Sequence, residues 1–450
     1  MKGRVLIMNV IVSLLLCVVL AGCNSVKLIE TPAPEITPSP SIVTSIERNG
    51  DKFGFNGFDD NLISYLNDSD FSEENYVISP LSIKLAMALL AEGAANETQE
   101  EILKGLDVSS INDLRKISKS MNELSELVEA MGEDDLNMYK KYPDAFDNKP
   151  DVGVFSVNNS IWKNGERVGN LKVSYINTLS EYYNAVSQNV KKDELEIRIN
   201  SWTNEKTNGL IKKIVNENVK DMNTILVNTV YLKDSWLKPF EEYNTIEDDF
   251  TDINGNRIKK DFMYTEEKLA YYEDNTCQIV SFPTNCGFEV IYVLGDNSNI
   301  EEKLLNMKYE EVHLKVPKMD IDSSFESDFM NDFFVNIGVG RIFTPLSDFS
   351  NMIENLNGSD YFVDSILHKA KLTTDEDGIE AAAVTAILMM DNAAMIPEEP
   401  KFKEFIANKP YTFYVLHGSE DVHTGAVTDA VKEQNEVVNK NLIFYGQYVK

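Results

Sequence analysis

Helical and strand patterns are segregated along this chain, and that segregation constrains the fold more than any single motif. The stretch "SPLSIKLAMALLAEGAA" (79–95) opens with Ser-Pro, a favoured helix start, and carries apolar residues at helical spacing. "ETQEEILKGL" and "INDLRKISKSMNELSELVEAM" continue in the same style. From "VGVFSVNNSIW" onward the runs change character. "TILVNTVYL", "CQIVSF", "GFEVIYVL", "VHLKVPKMDI", "SILHKAKL", "YTFYVL" and "LIFYGQYV" are rich in Val, Ile, Phe and Tyr and bounded by Gly, Asn, Asp or Pro. "INGN" at 253–256 adds an Asn-Gly hairpin signal. Helices first and strands later predict an α+β domain rather than a doubly wound fold.

No second linker or internal repeat follows residue 51, so 51–450 reads as one large domain with surface additions near 132–151 and 418–441. With 43% hydrophobic and 26% charged residues it can bury a substantial core. The formal net charge of −31 argues against nucleic acid as a partner, because phosphate binding needs a basic surface. Residues 1–23 read as a targeting segment: Lys2 and Arg4, an apolar run, then "LAGC". That tetrapeptide resembles the bacterial lipobox, which implies export and lipidation of Cys23, leaving the mature protein anchored to the membrane at the cell surface. An ordinary signal peptide and a spanning anchor are the alternatives. The segment 24–50, with prolines 32, 34, 38 and 40, fits an extended tether rising about 3.1 Å per residue. Cys277 and Cys286 remain in the body, either as a cross-strand disulfide or as two buried thiols.

A search for catalytic motifs returns little. There is no G-x-S-x-G, H-E-x-x-H, phosphate loop or cysteine cluster, and the four histidines are scattered. "TTDEDGIEAAAV" imitates a calcium loop but has Thr373 at the first ligand position and Val384 at the twelfth. No enzyme, metal or cofactor reading survives.

One segment resists a bland reading. "DEDGIEAAAVTAILMMDNAAM" (375–395) lies in a proline-free run from Ser347 to Ile396. Its Ala, Leu and Met content predicts a helix, yet it also alternates as a strand would. One parity is Ile379, Ala381, Ala383, Thr385, Ile387 and Met389; the other is Glu380, Ala382, Val384, Ala386, Leu388 and Met390.

Five blocks in order resemble the serpin family over residues 55–450: "NYVISPLSIKLAMALLAEGA", "INSWTNEKTNGLI" with "TILVNTVYLKDSWLKPFE", "VPKMDIDSSF" with "RIFTPLSDFSNM", "HKAKLTTDEDGIEAAAVTA", and the closing "LIFYGQYVK". The resemblance implies an α+β serpin fold with a five-stranded sheet A, smaller sheets B and C, about nine helices and an exposed reactive-centre loop. It implies a monomeric suicide inhibitor, without cofactor or catalytic residue, that forms a covalent complex with a serine or cysteine protease. The alternative is a non-inhibitory serpin-fold binding protein whose loop is merely a substrate.

Carried over by the resemblance, the hinge is Glu376, Asp377, Gly378, Ile379, Glu380, Ala381, Ala382, Ala383, Val384 and Thr385. Lys318 pairs with Glu376 where the loop enters the sheet. Asn228 and His368 form a hydrogen-bonded pair beside Ser79 and Ser82, and Trp236 packs under the loop's start. The usual loop length places the scissile bond at Asn392–Ala393, with Met389–Met390 and Met390–Asp391 as alternatives. Ile379 departs from the Thr or Ser of inhibitory members, and Val384 from a common Ala.

Overall fold

The computed structural model describes residues 52–450 apart from 54, 144–149, 151, 168, 355–360, 365, 381–401 and 419–438. The targeting segment, Cys23, the whole 24–50 linker, the loop residues from Ala381 through Thr385 to Ala393 and most of the 418–441 addition lie outside the described residues.

Among the described residues, strands numbered along the chain form two sheets. The ten-stranded sheet holds β1 (Lys52–Phe53), β2 (Tyr76–Ile78), β6 (Ile246–Thr251), β7 (Arg257–Glu273), β8 (Cys277–Pro283), β9 (Phe288–Gly295), β10 (Lys308–Pro317), β14 (Lys403–Ile406), β15 (Tyr411–Gly418) and β16 (Asn439–Tyr448). The six-stranded sheet holds β3 (Val154–Asn164), β4 (Val186–Val190), β5 (Thr224–Ser235), β11 (Met319–Phe325), β12 (His368–Thr374) and β13 (Gly378–Ile379), in the order β11-β12-β13-β5-β3-β4.

The large sheet A is therefore five long strands plus the two-residue β13. Sheets B and C, expected as separate, share one hydrogen-bonded path. The 17-residue β7 is long enough to join them: Arg257–Phe262 pairs with β6, Phe262–Tyr271 with β10, and Ala270–Glu273 with β8. The "INGN" signal falls between β6 and β7, as a hairpin requires.

Eight α-helices lie among the described residues. Helix Pro80–Gly93 is apolar on nearly every side and almost wholly buried, as a core helix must be. Ser79 caps it, its Oγ accepting from the Ser82 N–H at 3.1 Å, with Pro80 in the first turn. Helix Leu195–Lys206 lays Leu195, Ile199 and Trp202 against Trp162 of β3 and Ile225 and Val227 of β5, covering one face of sheet A. The sequence reading ended its third helix at Met131, but the helix runs Ile111–Lys141. Half of the supposed surface addition at 132–151 is thus helix, and its anchor is Gly132, buried where any Cβ would strike Val152.

Cys277 and Cys286 are two free, buried thiols. They sit at opposite ends of the β8–β9 hairpin: Cys277 faces Gly295 across the ladder, while Cys286 lies in the turn. Several strand residues at about 3.3 Å each separate them, far beyond disulfide reach.

Candidate functional site

The site begins where β12 ends. Asp375 folds the chain back, its Oδ1 accepting from the Asp377 N–H at 3.0 Å and the Gly378 N–H at 3.3 Å, the side-chain turn that Asp favours. Gly378 and Ile379 then run antiparallel between two strands. Ile379 pairs with Thr374 of β12 and with Asp234 of β5, and Gly378 with Ser235. Among the described residues β12 and β5 share no ladder of their own; β13 alone bridges them. Only glycine fits at 378, because a Cβ would lie 2.2 Å from the Asp234 carbonyl oxygen. Ile379 is 1% exposed and packs in the core cluster that includes Leu232, Leu372 and Trp236. The position that the resemblance makes the first inserted one is thus a paired strand residue here, and its apolar side chain suits the buried face it occupies.

Four groups hold this turn. Lys318 Nζ meets Glu376 Oε2 at 2.6 Å, as the resemblance implied, and Thr245 Oγ1 donates to Glu376 Oε1 at 2.6 Å. Burial pushes the Glu376 carboxyl upward, but these two hydrogen bonds, a backbone N–H and the Lys318 charge together outweigh it and lower the group from its ordinary value. Trp236, 1% exposed, does more than pack on Phe240 and Phe282. Its Nε1 donates to the Asp375 carbonyl at 2.8 Å, and its backbone N–H to the Asp377 carbonyl at 2.9 Å. The Phe240 N–H donates to the Glu376 carbonyl at 2.9 Å. Thr245, Phe240 and Asp234 were not singled out from sequence, where nothing marked them.

Deeper in the sheet, Ser79, Ser82, Asn228 and His368 are all buried together, but their wiring differs from the expected pair. Asn228 bonds to Ser82 Oγ through its Oδ1, and its Nδ2 donates to Asn159 Oδ1 at 2.5 Å. His368 Nε2 instead accepts the Ser79 N–H at 3.2 Å. The reason is register: Asn159 lies directly across the β3–β5 ladder from Asn228, in the closest cross-strand position. The Asn158–Asn159 pair, out of place in a strand of apolar residues, was the missed signal.

Complete burial pushes His368 down to about 3, so its ring is neutral and Nε2 is free to accept. The unfolded chain, with an ordinary imidazole near 6.5, takes up the proton first as pH falls. This contribution is thus fully present above about pH 6.5 and is lost as pH falls toward 3; it amounts to a few kcal/mol at most. Asp234, pushed up to about 6 by burial, works in the opposite direction. Comparison with a His368→Gln variant isolates the histidine. Denaturant midpoints measured between pH 7 and 4 are expected to fall more steeply for the natural protein than for the variant; equal slopes would contradict the assignment.

Comparison with known proteins supports the same architecture. Residues 54–429 match the family described as Serpin (serine protease inhibitor). The leukocyte elastase inhibitor of Xenopus laevis is 25% identical over 414 residues, covering 86% of this chain and 96% of that protein. An uncharacterized serpin-like protein of Thermococcus kodakarensis is 28% identical, covering 79% of each. Among solved structures, the thermophilic serpin Tengpin in its native state superposes with a TM-score of 0.64 at 28% identity, covering 87% of this chain and 92% of that one. Thyroxine-binding globulin, solved with thyroxine, shares the fold at a TM-score of 0.63 and 18% identity. The chain belongs to the serpin family.

Proposed function

We propose that this serpin is a suicide inhibitor of proteases rather than a binding protein, and that it works from the cell surface on a lipid at Cys23. Serpins are generally inhibitors or binding proteins, not catalysts. The observation that carries the inhibitory reading is β13: the loop's first two residues already occupy a strand position between β12 and β5.

Continuing that register gives the route. Each step along the loop is one step back along both neighbours. The sixth residue past Ile379, Thr385, would face the sixth before Asp234, which is Asn228, and the sixth before Thr374, which is His368. Met389 would reach Thr224, the far end of β5. Opposite residues in antiparallel strands share a face, so Ala381, Ala383, Thr385, Ile387 and Met389 would follow Ile379 to the buried side. The small alanines would enter first. Thr385 would arrive at the Ser79–Ser82–Asn228–His368 cluster and offer it a hydroxyl.

In this mechanism the target's nucleophile attacks the scissile carbonyl, at Asn392–Ala393 or a nearby Met389 or Met390 bond. The acyl-enzyme forms and the C-terminal side leaves as the amine. The freed loop inserts before water releases the ester or thioester, and the protease is carried along. Lys318–Glu376 and Trp236 fix the pivot, so that pulling on the loop feeds residues into the sheet.

The test uses the full chain extracted from membranes and incubated with subtilisin, an elastase and a legumain-type cysteine protease. The expected result is a detergent-resistant adduct with at least one of them on a denaturing gel. It should partition into the detergent phase, with a released fragment beginning at Ala393. Clean cleavage without adduct in every case would favour the substrate-only alternative, and an adduct left in the aqueous phase would refute the anchor.

A further inference from the structure

The run of extended backbone stops abruptly after Ile379. Glu380 has φ of 49°, in the left-handed region that is strained for a residue with a side chain. A strand does not continue through such a residue. Yet Glu380 is held firmly: its N–H donates to the Thr373 carbonyl at 2.8 Å, and its Oε1 accepts from Tyr231 Oη at 3.1 Å. Tyr231 lies on β5, is 3% exposed, and also accepts from the Asn208 amide at 3.4 Å. It is therefore a fixed anchor on the strand along which the loop would move.

We propose that Tyr231 and Glu380 form a stop that holds the uncut loop two residues into sheet A, with Tyr231 as a positioning residue for insertion. The proposal rests on the inhibitory reading but concerns the resting state, so it is testable without any protease. Three features act in opposition at this point. Ile379 is drawn into the core, Gly378 lets the backbone pass, and Glu380 is clamped in a kinked geometry that must revert to extended backbone before Ala381 can follow. Tyr231 sits on the same face of β5 as Lys233, the residue that Glu380 would oppose in the continued register. The hydroxyl is thus placed to catch the carboxylate at the gate. With the bond broken, the left-handed strain favours release, which drives the loop inward.

The test compares the natural chain with Tyr231→Phe, Glu380→Ala and the double variant. Amide hydrogen exchange at Glu380 reads the hold directly. Incubation of the uncut protein at raised temperature, followed by melting, reads conversion to an inserted form. A hydrogen bond to a carboxylate corresponds to about a tenfold or greater change, so Tyr231→Phe is expected to speed Glu380 exchange and conversion by on the order of tenfold. Glu380→Ala should do at least as much, because it removes every contact of that carboxylate, and the double variant should do no more than Glu380→Ala alone, because the shared bond is already gone. Unchanged exchange in Tyr231→Phe, or fully additive effects, would overturn the stop. A chain that forms no protease adduct yet shows the coupled exchange pattern would sink the inhibitory reading and leave the stop standing.

Discussion

Under the proposed mechanism, an Ile379→Glu variant is expected to lose inhibition while its loop is still cut. In the resting protein Ile379 lies 1% exposed in the core, directly across the ladder from Asp234, which is itself 3% exposed. A carboxylate placed there would be stripped of water and set about 5 Å from a second carboxyl. The penalty is several kcal/mol, and each 1.4 kcal/mol is tenfold. Seating this residue, the first step of insertion, should therefore become about a thousandfold rarer, and hydrolysis of the acyl-enzyme should win every turnover. A denaturing gel is expected to show cleaved chain without adduct, and active-site titration should show the protease fully active at the end. Ile379→Ser, which removes apolar bulk but adds no charge, should still form adduct, at a higher ratio of inhibitor consumed. Adduct formation by Ile379→Glu at the natural stoichiometry would contradict the role given to the seated hinge.

The same residues show how far sequence carries and where it stops. The α+β class, most sheet strands and the Ser79–Pro80 helix start were legible because hydrophobic period and capping are local. Glu376–Lys318 and the Trp236 position were legible only through family resemblance, since their partners lie far apart in sequence: Lys318 leads out of β10 and Glu376 follows β12. What the resemblance implied for Asn228 and His368 gave the right neighbourhood and the wrong bonds. The facing residue on β3, Asn159, is set by register, which a single strand's pattern does not report. Tyr231 was invisible for the same reason. Ile379 drew notice as a departure, but its consequence, a hinge already seated, depends on Gly378 passing within van der Waals reach of the Asp234 carbonyl. The helix propensity of "IEAAAVTAILMM" gave no hint of this: at Ile379 pairing on two edges overrides local preference, and 381–390 lie outside the described residues. The merging of the two smaller sheets followed from the length of β7, whose polar, interrupted pattern was not read as a strand.

The account stands on one conversion, from a loop seated by two residues to a strand that runs the length of β5. Cutting the loop removes its covalent tie to β14, which lies in the other sheet. Insertion would then add hydrogen bonds on both edges of the new strand and bury Ile387 and Met389 at about 1.5–3 kcal/mol each. Ordering each inserted residue costs about 1–2 kcal/mol; for a domain of this size each kcal/mol of net gain moves the melting temperature by roughly 1–2 °C, so a net gain of several kcal/mol raises it by about 10 °C. The uncut protein would then be held kinetically, short of its most stable form. The direct measurement is calorimetry of intact and loop-cleaved protein at one scan rate and pH 7. The account predicts that the cleaved form melts about 10 °C higher; a cleaved form that melts at or below the intact one would contradict it.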